Sequence, residues 1–317
     1  MSHASAQPRK RTNVRLGTVE RAAIGALSSI VPDLAAGYAE RLFFSPVRYA
    51  RPAWEAEILG RAQRQSFPFR GGELPAWSWG EGPVVVLAHG WAGRGSQLGK
   101  LVDPLVAAGH RVVAFDGPGH GDAGGASSSI ADIADAIGAL LETLGGARAI
   151  VGHSMGGFAA RMAIRNAPVE RLVLVASPWE AAAYPRTFPR RIGLGDAATE
   201  RFVCRVEARL GAPIDTLNGD RHLLGPEVDL LVVHDEDDRE VPFADAARLV
   251  SAWEGARLFT THGLGHRRVL RDPLVTRTIA AFVADGPRAV LPRATGLLAL
   301  EEELFHRHLR YPGSAAA

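Results

Sequence analysis

Short runs of β-branched residues, each followed by a stretch with apolar residues at helical spacing, restrict the fold of this chain more than any other feature. Pro83–Ala88 reads PVVVLA, an unbroken apolar run suited to a strand buried on both faces. Strand-like runs recur at Arg111–Phe115, Ala147–Gly152, Arg171–Ala176, Asp229–His234 and Arg257–Thr261. Helical spacing is read at Ser96–Ala108, Ile130–Leu144, Ser154–Arg165, Ala244–Trp253 and Val269–Val283. Short connections between alternating strands and helices imply an α/β fold, a mostly parallel sheet flanked by helices. Aromatic residues over Gln65–Trp79, split by Gly71 and Gly72, predict a hairpin at the start of that sheet.

One connection is too long for a plain crossover. Ser177 to Val228 spans 52 residues, with prolines at 178, 185 and 189 and a helical pattern near Ala197–Leu210. A long insertion at the strand ends of an α/β sheet reads as a short lid, residues 177–228. The expected organisation is a tail and accessory helices over 1–62, a core domain over 63–284, and a C-terminal extension over 285–317. The first 17 residues are polar. Residues 18–62 read as helical pieces interrupted at Pro32 and near Pro46. Thr295–Leu309 has the leucine spacing of an accessory helix that packs on the parent domain.

The chemistry is concentrated where one strand meets one helix. Gly152-His153-Ser154-Met155-Gly156 sits at such a junction, the context a strained nucleophile turn requires. Side chains at 152 and 156 would crowd a sharp turn, and the turn lifts the central hydroxyl above the sheet edge. Ser154 is therefore the expected nucleophile. A serine needs a base. His266 follows the last strand in a glycine-rich loop and is preferred over His262. His153 is expected to point the other way, and His89 and His120 lie at strand ends. The base needs a carboxylate that fixes its tautomer. Asp235-Glu236-Asp237-Asp238 follows the strand ending at His234, and Asp238, just before Val241-Pro242, is preferred over Asp237 and Asp235. The N–H groups of Met155 and Trp91 are the expected donors to a carbonyl oxyanion. Trp91, Trp179, Tyr184 and Phe188 are read as an apolar substrate pocket.

These segments together resemble the α/β-hydrolase superfamily. The resemblance rests on His89-Gly90-Trp91, Asp116-Gly117-Pro118-Gly119-His120-Gly121, the Ser154 pentapeptide, Asp238-x-x-Val241-Pro242 and Gly265-His266. It runs from about Gln65 to Val283 and is similar to esterase, lipase and serine-aminopeptidase members with a short lid. It implies an eight-stranded sheet, a Ser154–Asp238–His266 triad and no cofactor. This chain has Asp235 where many members have glycine, which leaves Asp235 and Asp237 as alternatives for the acid. Serine rather than aspartate at 154 points to acyl transfer to water. A carboxylic ester is the expected substrate; thioester, amide or peptide, and carbon–carbon bonds are the alternatives, with a non-catalytic binding protein as another.

Composition limits the partners. Lys and Arg number 36 against 34 Asp and Glu, a net charge of +2, so no nucleic-acid surface is expected. The lone Cys204 allows no internal disulfide or cysteine metal cluster and reads as a small apolar filler. No metal is expected. No run of 18 apolar residues exists, so no membrane partner is expected. A cytoplasmic location is expected, the diluted apolar run Ala22–Val31 being a weak secretory signal. Asp116–Gly121 reads as a tight turn and Gly124–Ser129 as a flexible loop. The oligomeric state is not legible.

Overall fold

The computed structural model describes residues 16–164, 168–222 and 228–286. The polar tail up to residue 15 and the helix expected at Thr295–Leu309 lie outside the described residues. Strands β1 (Gln63–Phe69) and β2 (Gly72–Trp79) form the expected hairpin. They are followed by β3 (Val84–Ala88), β4 (Arg111–Phe115), β5 (Ala147–His153), β6 (Val169–Val175), β7 (Asp229–Asp235) and β8 (Arg257–Thr261). All eight make one sheet in the order β1-β2-β4-β3-β5-β6-β7-β8. β1 with β2 and β2 with β4 are antiparallel, and every later pairing is parallel. The fold is that of an α/β hydrolase, as the sequence resemblance implies.

The strand order places the chemistry. The chain leaves β3 toward β4 on one side and returns to β5 on the other. Loops leaving the carboxyl ends of β3 and β5 therefore diverge and open a crevice, the usual ligand position in such sheets. Alternate residues build the layer beneath it. Val85, Leu87, Val112, Ala114, Val151, Val173, Val233 and Phe259 share one buried cluster with Leu98, Leu105, Ile279 and Phe282 from the covering helices. The period of two along each strand sends these side chains to one face.

Helices α1 (Thr18–Ile30), α2 (Pro32–Phe43) and α3 (Ala53–Gly60) precede the sheet, with Pro32 in the first turn of α2. The helix read at Ser96–Ala108 is a 3-10 stretch, Gly95–Leu101, followed by α4 (Val102–Ala107). α5 (Ile130–Leu144) opens on a Ser129/Asp132 capping box and ends at left-handed Gly145, signals visible in the sequence. α6 (Met155–Ala163) follows β5.

Further expectations need correction. The 177–228 insertion carries two helices, α7 (Ala183–Ile192) and α8 (Asp196–Leu210). Pro185 and Pro189 do not break α7. Pro185 lies in its first turn, and the N–H that Pro189 lacks would have bonded the carbonyl of Pro185 itself. After α9 (Phe243–Ala252), the helix expected at Val269–Val283 is divided. α10 (Gly265–Arg268) and a 3-10 turn (Val269–Arg271) end where Asp272 caps α11 (Pro273–Asp285) through the N–H groups of Leu274 and Val275. The Gly124–Ser129 loop is not free. Arg48 Nη2 donates to the carbonyls of Ala123 (2.6 Å) and Gly125 (2.8 Å), and Ser128 and Ser129 are buried.

The described chain divides into two compact units. One is helical and holds residues up to Ser45 together with Ala182–Thr216. Its core is Ile24, Ala35, Ala36, Ala39, Phe44, Ile192, Phe202 and Val206, the alanines letting α2 pack closely. Cys204 is exposed on α8 rather than a buried filler. The other unit holds Pro46–Ala181 and the residues from Leu217 onward, and contains the whole sheet.

Candidate active site

Ser154 sits between β5 and α6 with φ 54° and ψ −128°, a conformation non-glycine residues rarely hold. Its N–H donates to the Val175 carbonyl (2.9 Å) and its carbonyl accepts from Gly157 N–H (3.0 Å). The neighbouring glycines are required sterically. A Cβ at Gly156 would stand 2.3 Å from the His89 carbonyl oxygen, and one at Gly152 2.5 Å from Gly157 Cα. This close packing presses the strained turn onto the end of β3.

The three expected triad residues meet. His266 Nε2 is 3.0 Å from Ser154 Oγ, and His266 Nδ1 is 2.7 Å from Asp238 Oδ2. An ionised carboxylate can only accept, so the Nδ1 proton points at Asp238 and Nε2 is left to accept from the serine hydroxyl. Asp238 Oδ1 accepts from the N–H groups of Glu240 (2.8 Å) and Val241 (3.1 Å). Burial pushes the Asp238 carboxyl up. The His266 hydrogen bond and charge, with those two N–H groups, outweigh it and hold the group below the ordinary carboxylate range. The sequence alternatives face elsewhere. His262 is exposed and faces Asp237 (3.2 Å), and Asp235 and Asp237 bind backbone N–H groups of the loop before His266.

Met155 is the first residue of α6, so its N–H has no partner inside the helix. Trp91 follows β3 in a tight loop. The Gly90 carbonyl accepts from His89 Nδ1 (2.8 Å) and from Gly93 N–H (3.0 Å). His89 Nε2 accepts from Gly117 N–H (2.9 Å), which places the ring proton on Nδ1. In a trans peptide the carbonyl and the following N–H point oppositely, so the Trp91 N–H faces away from these donors. A Cβ at Gly90 would lie 2.9 Å from Ser154 Cβ, so this loop runs against Ser154. Burial lowers the His89 pKa to about 4, keeping the ring neutral.

Of the expected pocket residues, Trp91 and Trp179 belong to the sheet-bearing unit and Tyr184 and Phe188 to the helical unit. The half-buried Trp91 packs edge-on against His120, ring centroids 5.1 Å apart. Trp179 lies under the buried Arg161 guanidinium (5.4 Å). Arg161 also donates to the carbonyls of Trp179, Gly219 and His222, and burial lowers its pKa to about 10. Phe188 packs against Phe43 and Phe202 in the core of the helical unit, and Tyr184 lies on α7 in the same unit.

Sequence reasoning missed one residue. His153 does not turn away from the site, because its Nε2 donates to the His266 carbonyl (2.9 Å). Burial, then the neighbouring His266, lowers its pKa to about 3. Only its place beside the serine hinted at this role. Among the described residues no group of three or more His, Cys, Asp or Glu is arranged to hold a metal ion. None of the described helices is long and apolar enough to cross a membrane.

A model of the alpha/beta hydrolase family matches residues 85–283. The chain belongs to that family. This alpha/beta hydrolase is 27% identical over 241 residues to a monoacylglycerol lipase of Mycolicibacterium smegmatis, covering 60% of this chain and 82% of the lipase. Over 108 residues it is 35% identical to a pimeloyl-[acyl-carrier protein] methyl ester esterase of Vibrio campbellii, covering 33% of this chain and 41% of that enzyme. The structure of an esterase from Exiguobacterium antarcticum superposes with a TM-score of 0.54 at 18% identity, covering 70% of this chain and 99% of the esterase. These relatives and neighbours are esterases and a lipase.

Proposed function

We propose that this chain is a serine hydrolase that cleaves a carboxylic ester through an acyl-enzyme on Ser154. The observation that carries the reading is the continuous path from Ser154 Oγ through His266 to Asp238, at 3.0 and 2.7 Å. Ser154 Oγ bonds to the ester carbonyl carbon while its proton moves to His266 Nε2. Asp238 holds the ring orientation and stabilises the imidazolium. The N–H groups of Met155 and Trp91 bind the oxyanion. The bond to the alcohol breaks and the alcohol leaves with the proton from His266. Water then gives a proton to His266 Nε2 and bonds to the acyl carbon, the bond from that carbon to Ser154 Oγ breaks, and His266 returns the proton to Oγ as the acid leaves.

The partner in this reading is a small acyl substrate, with Trp91 lining the acyl side. The lipase and esterase relatives support an ester over an amide. A panel of p-nitrophenyl esters of graded chain length, beside thioester and amide substrates, tests the bond class. Ser154→Ala should lower kcat by on the order of 10⁴ with folding intact. Parent-level turnover by that variant would refute the reading.

A further inference from the structure

We infer that Asp235 is a positioning residue that sets the reach of His266. This inference rests on the reading of His266 as the base. Asp235 is the last residue of β7 and is fully buried, in register with Thr261 at the end of β8. One carboxylate oxygen, Oδ2, accepts from Thr261 Oγ1 (2.7 Å) and from Leu264 N–H (2.9 Å). The other oxygen, Oδ1, accepts from Asp237 N–H (3.1 Å), and the Asp235 carbonyl accepts from Asp238 N–H (3.1 Å). A single residue therefore grips both loops, two residues before His266 on one side and at Asp238 itself on the other.

The loop needs such a grip. It passes through Gly263 (φ 78°) and Gly265 (φ 64°), left-handed positions that glycine adopts freely and whose backbone is intrinsically loose. Elsewhere in it, Gly263 N–H bonds Asp237 Oδ2 (2.9 Å) at an exposed position, where water competes for the same groups. A buried carboxylate is costly unless donors surround it, and here hydroxyl and backbone donors do. Asp235 binds only groups whose placement decides where the imidazole lies. His266 must bridge Asp238 and Ser154 at once, and a misplacement of about 1 Å at a reacting group costs on the order of 10² in rate.

The test compares Asp235→Ala and Asp235→Asn with the parent on a short p-nitrophenyl ester, with thermal melts as a folding control. Asp235→Ala should lower kcat by roughly 10²-fold with KM within about threefold. Asp235→Asn keeps one acceptor oxygen and should recover part of that loss. The downfield proton resonance of the His266 Nδ1–H to Asp238 bond should be present in the parent and broadened or lost in Asp235→Ala. A folded Asp235→Ala with parent kcat and an unchanged resonance overturns the inference. If Asp235→Ala does not fold, Thr261→Val removes one donor to the same oxygen. It should lower kcat by about two- to fivefold, and a parent kcat there overturns the inference too. Ser154→Ala run alongside separates the two levels. Turnover by that variant refutes the base assignment itself. Loss of turnover there with full kcat in Asp235→Ala refutes only the positioning role.

Discussion

Along the carboxyl rim of the sheet, the buried side chains are ionisable and bonded to backbone; in the core of the helical unit they are apolar. His89, Asp116, His153, Asp235, Asp238 and His266 are all buried at the rim. Each meets N–H, O–H or carbonyl groups of neighbouring loops. In the helical unit, Phe43, Phe44, Phe188 and Phe202 interlock, and its ion pairs, such as Arg201 with Asp33 (3.0 Å), are exposed. Burying polar groups costs free energy that apolar packing does not, so the rim is built for geometry and the helical unit for cohesion. The two regions should fail differently when altered.

The largest effect expected is on turnover. His266→Ala should reduce kcat by about 10⁴, and Asp238→Asn by about 10²–10⁴, with thermal stability near the parent in both. A near-normal rate in Asp238→Asn would break the rim half of the comparison. In the helical unit the effect should reverse. Phe202→Ala removes a fully buried ring and should cost about 3–5 kcal/mol of stability by chemical denaturation, with kcat per folded molecule retained. A stability loss under about 1 kcal/mol would show that the helical core is loosely packed.

Acid should act through the unit that holds the sheet, at the rim and at the buried His110 before β4, whose pKa burial also lowers. His89, His120 and His153 are buried and neutral, with pKa values lowered to about 4, 3 and 3, first by burial. Below the ordinary value near 6.5 the unfolded chain binds protons that these folded rings refuse. Stability therefore falls as pH drops from about 6.5 toward 3, at about 1.4 kcal/mol per pH unit for each proton. Asp116 works the other way. Burial raises its pKa to about 6, so its contribution is full below 3.8 and is lost as pH rises through 6. Three rings outweigh one carboxyl, and melts from pH 7 to 4 should show falling stability. The helical unit has no histidine among its described residues. Flat melting temperatures over that range would contradict this part of the comparison. The smallest effect belongs to the exposed pair. Arg201→Ala should change stability by less than about 1 kcal/mol.

The contrast also explains what the sequence made legible. Strands β3, β4, β6 and β7 are legible because burial on both faces favours short apolar runs rich in valine and leucine. Ser154, Asp238 and His266 were readable because each follows a strand at the same sheet edge. The pairing of α2 with α8 was not, because close packing of Ala35, Ala36 and Ala39 against a helix over 150 residues away leaves no local pattern. The break at Asp272-Pro273 was legible in principle, as a cap followed by a first-turn proline, yet apolar spacing continues across it and masked it. Aromatic type alone does not say what a ring packs against, so the contacts of Phe188 with Phe43 and Phe202 have no local signal. Asp235 and His153 act on backbone groups distant in sequence, which no residue pattern records.

The central claim is that the hydroxyl at Ser154 is activated through His266. Reaction with a fluorophosphonate, followed by peptide mass spectrometry, tests it most directly. One adduct per chain on Ser154, formed far more slowly in His266→Ala, is the predicted result. An adduct on another residue, or labelling of Ser154 at an undiminished rate in His266→Ala, would contradict it.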